Sequence, residues 1–269
     1  MAIDRAGLER LGGIVVGAAR EELLPRFARV ERGRKADGSI ITEADLVVQQ
    51  RIAGELRRHW PGTGFLGEEM SAAEQDALLR RDKPLWCLDP LDGTSNFAAG
   101  IPFFSVSLAL LEQGRVTAGI VYDPLRGECF TALRGKGAWL NGAPLTAVRA
   151  GVTLQQATSL VDFKRLPREL AVRLVTAIPY ASQRSFGSVA LDWCWIAAGR
   201  CHVYLHGRQN IWDYAAGNLV LQEAGGHAMT LSGEPVFVSA LQPRSAVAAL
   251  DAALFEEWTR WLGIDAGKS

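Results

Sequence analysis

Residues 86–104 read WCLDPLDGTSNFAAGIPFF. Asp89 and Asp92 stand three apart between an apolar run and a Gly-Thr step, with apolar residues flanking both. That setting is not a solvated surface patch, and uncompensated carboxylates within it are costly. The stretch LWCLD reads as a buried strand ending at Asp89. Pro90-Leu91-Asp92-Gly93 then reads as a tight turn, and Thr94-Ser95-Asn96 as the start of a helical turn. Gly93 allows the backbone to turn sharply and approach a ligand. N–H groups at Gly93 and Thr94 would form an anion site at a helix N-terminus. Carboxylates beside a phosphate repel it unless a cation lies between them. Mg²⁺ takes oxygen ligands and is commonly held by one or two carboxylates plus a substrate phosphate. The arrangement points to Mg²⁺ bridging Asp89, Asp92 and a phosphate. An Asx-turn with a helix cap is the competing reading.

Two further acidic stretches weigh between them. LGEEM places Glu68 and Glu69 at the end of another strand, and NIWDYAAGNLVLQEAGG places Asp213 at the start of a helix. Ala215-Ala216-Gly217 would let that helix pack closely, and Gly225-Gly226 supplies a C-terminal cap. Taken singly, Glu68 reads as a loop acid and Asp213 as an acid facing the helix dipole. Taken together, three elements bring carboxylates to their termini, as a multi-metal site requires.

The rest of the chain builds around this core. With 269 residues, 48% of them hydrophobic, it suits one large domain or two lobes sharing a core. The balance of 29 basic and 29 acidic residues points to no nucleic-acid or anionic-membrane surface. The N-terminal stretch carries Asp4, Arg5, Glu9 and Arg10 and reads as an amphipathic helix, not a signal peptide. No apolar run is long enough for a membrane span. Cys87, Cys129, Cys194 and Cys201 form no CxxC pair and read as reduced core residues of a cytoplasmic protein. The chain has no HExxH and no GxSxG, against a zincin and an α/β-hydrolase.

The patterning predicts a first helix over 5–27, a turn at Asp37-Gly38 and a second helix from Thr42 to about His59. Thr42 and Asp45 are spaced as a capping box. Residues 105–145 read as an antiparallel meander with turns at Gln113-Gly114, 123–127 and Asn141-Gly142. Helices follow near 167–177, 188–199, 213–224 and 251–262, and strands near 157–162, 201–206, 227–231 and 245–250. The rhythm is that of a layered α/β protein with mixed sheets in two lobes, divided near residue 145.

GEE, DPLDGTSNF and WDYAAGNLVLQEAGG, in this order and at these separations, resemble the inositol monophosphatase family. The similarity covers nearly the whole chain and includes DGSIITEAD and YDPLRGECF. The resemblance implies a layered α/β/α/β/α sandwich of the sugar-phosphatase type. Residues 1–145 would hold the metal and phosphate site, and residues 146–269 the substrate lobe and the last metal aspartate. It further implies a Mg²⁺-dependent, lithium-sensitive phosphomonoesterase, typically a homodimer, with two or three ions. The substrate would be a small sugar or polyol phosphate such as inositol 1-phosphate, with no nucleic-acid or membrane partner.

Residue by residue, Glu68, Asp89, Asp92 and Asp213 match the family's metal ligands, and the Leu91 carbonyl its backbone ligand. Glu68 and Thr94 match the pair that orients the attacking water, with Asp92 beside them. Gly93 and Thr94 match the phosphate-binding amides. Asp45 matches a water-mediated contact to a further ion, a role compatible with its capping box. The implied mechanism is direct in-line attack by a metal-activated water, without a phosphoenzyme. Where the family has an acid facing the sugar hydroxyls, seven residues before the last metal aspartate, this chain has His206. Arg184 matches a position near the substrate pocket or a dimer contact. Two alternatives stand beside the polyol phosphatase. One is a phosphatase for adenosine 3',5'-bisphosphate, histidinol phosphate or fructose 1,6-bisphosphate. The other is a catalytically silent metal- or partner-binding protein.

Overall fold

Asp4 opens the first helix, its side chain accepting from the Gly7 N–H at 2.8 Å. Helix α1 (Arg5–Ala18) runs on through a π turn (Ala19–Leu23) into a 3₁₀ turn (Leu24–Arg26). The single helix expected over 5–27 is thus three helical segments, and the second change of pitch, from π to 3₁₀, falls where Pro25 removes a backbone N–H. The structure, a computed structural model, describes residues 3–264 apart from 31–32, 35–39, 82 and 147–150. The Asp37-Gly38 turn lies outside the described residues. Strands β1 (Gly33–Arg34) and β2 (Ile40–Ile41) pair antiparallel on either side of it.

Helix α2 (Glu43–His59) begins with the expected capping box: both the N–H and the hydroxyl of Thr42 donate to Asp45 Oδ2 at 2.7 Å. Strand β3 (Gly64–Gly67) and helix α3 (Ala72–Leu79) lead into β4 (Leu85–Asp92), every residue of which is buried. Strand β4 does not stop at Asp89. It reaches Asp92 with a break in register against its neighbour between those two residues. After the short helix α4 (Thr94–Ala99) comes the meander, β5 (Ser105–Glu112), β6 (Arg115–Asp123), β7 (Glu128–Leu133), β8 (Gly137–Leu140) and β9 (Ala143–Leu145). Its turns carry left-handed residues where the sequence places them: Gln113 and Gly114 at φ 50° and 67°, Asn141 and Gly142 at 49° and 82°. The sheet order is β3-β4-β5-β6-β7-β8-β9, parallel at β3/β4 and antiparallel elsewhere.

The second sheet comprises β10 (Thr158–Asp162), β11 (Ser182–Arg184), β12 (Val203–Gln209), β13 (His227–Met229) and β14 (Arg244–Ala249), ordered β11-β10-β12-β14-β13. Helices α5 (Arg168–Thr176), α6 (Val189–Ala197), α7 (Ile211–Glu223) and α8 (Ala252–Leu262) complete the chain. Strand β11 was not expected, because three residues are too few to display an alternation.

Burial sets the layers. Leu8, Leu11 and Val15 of α1 and Val48 and Ile52 of α2 pack on one face of the large sheet, against Leu88, Val106 and Leu108. Helices α6 and α7 fill the space between the sheets, with Trp193, Tyr214 and Leu219 meeting Cys87, Ala109 and Val121 on one side and Tyr204 and Ala248 on the other. Helix α7 is apolar nearly all round, as a helix enclosed on every side must be. A Cβ at Gly217 would stand 2.6 Å from Trp193 Cβ, so the small residues there do set the approach of α6 and α7. Leu174 of α5 and Trp258 of α8 cover the outer face of the small sheet, over Val161, Leu205 and Val247. Five layers result, α/β/α/β/α. The four cysteines are free thiols. Among the described residues no helix is long and apolar enough to cross a membrane.

Candidate active site

The ends of β3 and β4, the starts of α4, α6 and α7, and the ends of β10 and β12 converge on one cavity of about 240 Å³. Glu68, Asp89, Leu91, Asp92, Gly93, Thr94 and Asp213 all border it. The register break in β4 separates the two aspartates, and Gly93, at φ 93°, turns the chain into α4.

The carboxylates are buried together and repel one another. Asp89 is 2% exposed and accepts the Leu91 N–H on Oδ1 at 3.0 Å. Burial pushes its carboxyl well above the ordinary range, and the charges of Glu68, Asp92 and Asp213 push it further. Asp213 is the third residue of α7 and accepts the Asn210 N–H on Oδ2 at 2.8 Å. Burial, then the charges of Glu68 and Asp92, raise it as well. Asp92 reaches across to the start of α6. Its Oδ2 accepts from Ser188 Oγ at 2.5 Å and the Ala190 N–H at 2.8 Å, and its Oδ1 from the Val189 N–H at 3.1 Å. Burial still outweighs these donors and lifts Asp92 to about 6.

Thr94 Oγ1 lies 2.9 Å from the Leu91 carbonyl and 3.2 Å from Asp45 Oδ1. Asp45 therefore serves two ends, capping α2 with Oδ2 and meeting Thr94 with Oδ1. It is buried behind Thr94 and is not part of the cavity wall. Among the described residues no three His, Cys, Asp or Glu side chains already stand close enough to hold an ion. Clustered carboxylates that repel one another do not close into a cage by themselves, and Asp92 is turned towards the α6 amides. The donor set nevertheless fits a hard cation. It is all oxygen, and its ionised form is penalised by burial and by neighbouring charge until a cation compensates.

Two substrate-pocket expectations from the sequence change, and for Arg184 the dimer-contact reading is the one left. Arg184 is exposed on β11, where it donates to Ser182 Oγ at 2.7 Å and to the Gln183 carbonyl at 2.8 Å, and it does not border the cavity. His206 does border it but is 2% exposed. Its Nε2 lies 3.1 Å from Asp162 Oδ2, and its Nδ1 accepts the Arg208 N–H at 3.2 Å. Both ring nitrogens are engaged within the protein, so His206 does not present a polar atom to a sugar hydroxyl. Sequence reasoning missed Asp162, Arg165 and Asp192, which share this wall, and Ser188, which holds Asp92. The strand-terminal acid in SLVDFKR was a usable signal for Asp162; a lone helical Asp192 and a lone Ser188 carried none.

The inositol monophosphatase family model matches residues 6–260. An inositol monophosphatase 1 from Solanum lycopersicum is 36% identical over 243 residues, 84% of this chain and 86% of that one. A Nus factor SuhB from Pasteurella multocida is 36% identical over 204 residues, 74% of each chain. The crystal structure of the extragenic suppressor protein suhB from Bartonella henselae superposes with a TM-score of 0.82 at 30% identity, covering 96% of this chain and 98% of that one. Sequence motifs, five-layer fold and whole-length likeness agree, and the chain belongs to the inositol monophosphatase family.

Proposed function

We propose that the chain is a Mg²⁺-dependent phosphomonoesterase that hydrolyses a small sugar or polyol phosphate, such as inositol 1-phosphate, by direct attack of water on phosphorus. A phosphatase of sugar-phosphate type is what membership of the family implies. The observation that carries the finer reading is the meeting of Glu68, Asp89, Asp92 and Asp213 on one cavity beside Thr94. Glu68, Asp89, Asp92, Asp213 and the Leu91 carbonyl would hold two or three ions, with Asp45 reaching the last of them through water. When bound, Mg²⁺ would supply Lewis-acid polarisation of the phosphate and bring the pKa of water towards neutrality.

The chain's own groups do the rest. Glu68 accepts the proton of the attacking water. The Thr94 hydroxyl donates backwards, to Asp45 or to the Leu91 carbonyl, so its lone pairs remain to orient that water. The Gly93 and Thr94 N–H groups hold phosphate oxygens. Residues 1–145 would form the metal and phosphate lobe and residues 146–269 the substrate lobe with the last metal ligand, Asp213, in a cytoplasmic homodimer.

Phosphate release by purified protein with Mg²⁺ tests this against inositol 1-phosphate, glycerol 2-phosphate, adenosine 3',5'-bisphosphate, histidinol phosphate and fructose 1,6-bisphosphate. The polyol monophosphates should be the best substrates, and lithium at low Mg²⁺ should inhibit. A bisphosphate or histidinol phosphate as best substrate would move the chain to another branch. Hydrolysis of none would make it a silent binding protein. Thr94→Ala should lower kcat by about tenfold or more with little change in KM, because orienting the water matters in the transition state. A raised KM at unchanged kcat would instead make Thr94 a binding residue.

A further inference from the structure

Strands β10 and β12 run parallel, and their ends pair Asp162 with His206. Since His206 Nδ1 accepts the Arg208 N–H, the ring proton sits on Nε2 and is donated to Asp162 Oδ2, 3.1 Å away. The other carboxylate oxygen, Oδ1, accepts the Lys164 N–H at 3.0 Å. Arg165 Nε stands 3.8 Å from Oδ2. Both oxygens are thus anchored from the protein side, yet the side chain remains 26% exposed and borders the cavity. Burial pushes its carboxyl up, but the hydrogen bond from His206, the charge of Arg165 and the Lys164 N–H together hold it below the ordinary range. The 3₁₀ turn over Phe163–Arg165 lies tight on the end of β12: a Cβ at Gly207 would stand 1.8 Å from the Arg165 carbonyl oxygen. Asp162 is therefore a fixed, ionised acceptor in the cavity wall.

Beside it stands Asp192, 6% exposed, whose Oδ1 has no hydrogen-bond partner although it borders the same cavity. A buried polar atom without a partner is costly and marks a place where a ligand can supply one. Burial, then the charges of Asp92 and Asp162, raise the Asp192 carboxyl well above the ordinary range. The ionised Asp162 can accept from a hydroxyl, and Asp192 offers its unpartnered Oδ1 to a neighbouring one.

We infer that Asp162, positioned by His206 and assisted by Asp192, is the specificity-determining acceptor that meets the hydroxyls of the substrate's alcohol half in this chain. The inference rests on the phosphatase reading above and names the residues that read the alcohol in that same cavity.

The test is the ratio of kcat/KM for inositol 1-phosphate to that for p-nitrophenyl phosphate, whose leaving group has no aliphatic hydroxyl. Misfolded protein cancels in the ratio. Asp162→Asn should lower it about tenfold, as expected for loss of a charged hydrogen bond. His206→Phe removes the donor that holds Asp162 and should lower the ratio by a similar factor. His206→Gln keeps a donor and should recover most of the wild-type value. An unchanged ratio in Asp162→Asn overturns the inference, and a His206→Gln ratio as low as that of His206→Phe overturns the positioning role. If the wild type hydrolyses neither ester with Mg²⁺, the phosphatase reading itself fails and takes the inference with it. Hydrolysis of p-nitrophenyl phosphate with no effect of Asp162→Asn would sink the inference alone.

Discussion

Asp89→Asn should lower phosphate release at saturating Mg²⁺ by about 100-fold or more, and should make the metal-free protein harder to melt. Both effects have one cause. Asp89 is buried, and its ionised form is opposed by burial and by Glu68, Asp92 and Asp213. With an ion in place that same density of negative charge is what holds it, so removing one charge weakens the site and the stabilisation it gives to developing charge. Without an ion the charge only destabilises the fold. Asparagine preserves the shape and still accepts the Leu91 N–H that Asp89 Oδ1 accepts now. Asp92 would be a poorer choice for this experiment. Its two oxygens accept from Ser188 and the first amides of α6, and an amide NH₂ would set a donor against one of them. Calorimetry in EDTA and steady-state kinetics in Mg²⁺ read the two halves separately. Wild-type turnover would exclude Asp89 as a ligand, and a lower Tm in EDTA would show that the buried charge is not what limits metal-free stability.

The same electrostatics predict an unusual pH dependence. In chelator, stability should fall as pH rises from about 4 to about 7. Asp92 is lifted from 3.8 to about 6 in the folded protein, so the folded state binds more protons than the unfolded state between those values. Wherever that holds, stability declines with rising pH. The advantage is fully present below the unfolded value and is lost as pH passes through the folded one. At about 1.4 kcal/mol per pKa unit, Asp92 alone accounts for about 3 kcal/mol. For a chain of this size that is on the order of 5–10 °C in Tm. Asp89 and Asp213 shift in the same direction and deepen the slope. Saturating Mg²⁺ should flatten or reverse it, because ion binding favours the ionised carboxylates. Thermal melts between pH 4.5 and 7.5, with EDTA and with Mg²⁺, measure this directly. A metal-free Tm that rises steadily with pH would contradict the coupling of these carboxylates.

The parts of the molecule most legible in the sequence are those where local chemistry and global fold demand the same residue. The Thr42–Asp45 box opens α2, Asn141-Gly142 turns the meander, and the small residues of α7 meet Trp193. Glu68, Asp89, Asp92 and Asp213 were legible for a related reason: acids at the ends of apolar elements are conspicuous. Less legible were features that depend on partners distant in sequence. Asp92 takes its donors from residues 96 to 98 positions away. Asp162 and His206 meet only because β10 and β12 pair in register. Position 206 alone reads as the loss of an acid, whereas the neighbouring strand brings one to the same wall. Arg184, attractive in sequence, faces outward because its short strand is the edge of the small sheet.

The most direct test of the central claim, a divalent-cation phosphatase built on these carboxylates, is phosphate release from inositol 1-phosphate through a cycle of Mg²⁺, excess EDTA and restored Mg²⁺. Release should be rapid in Mg²⁺, absent in EDTA and recovered when Mg²⁺ is returned. Full turnover in excess EDTA would contradict the claim.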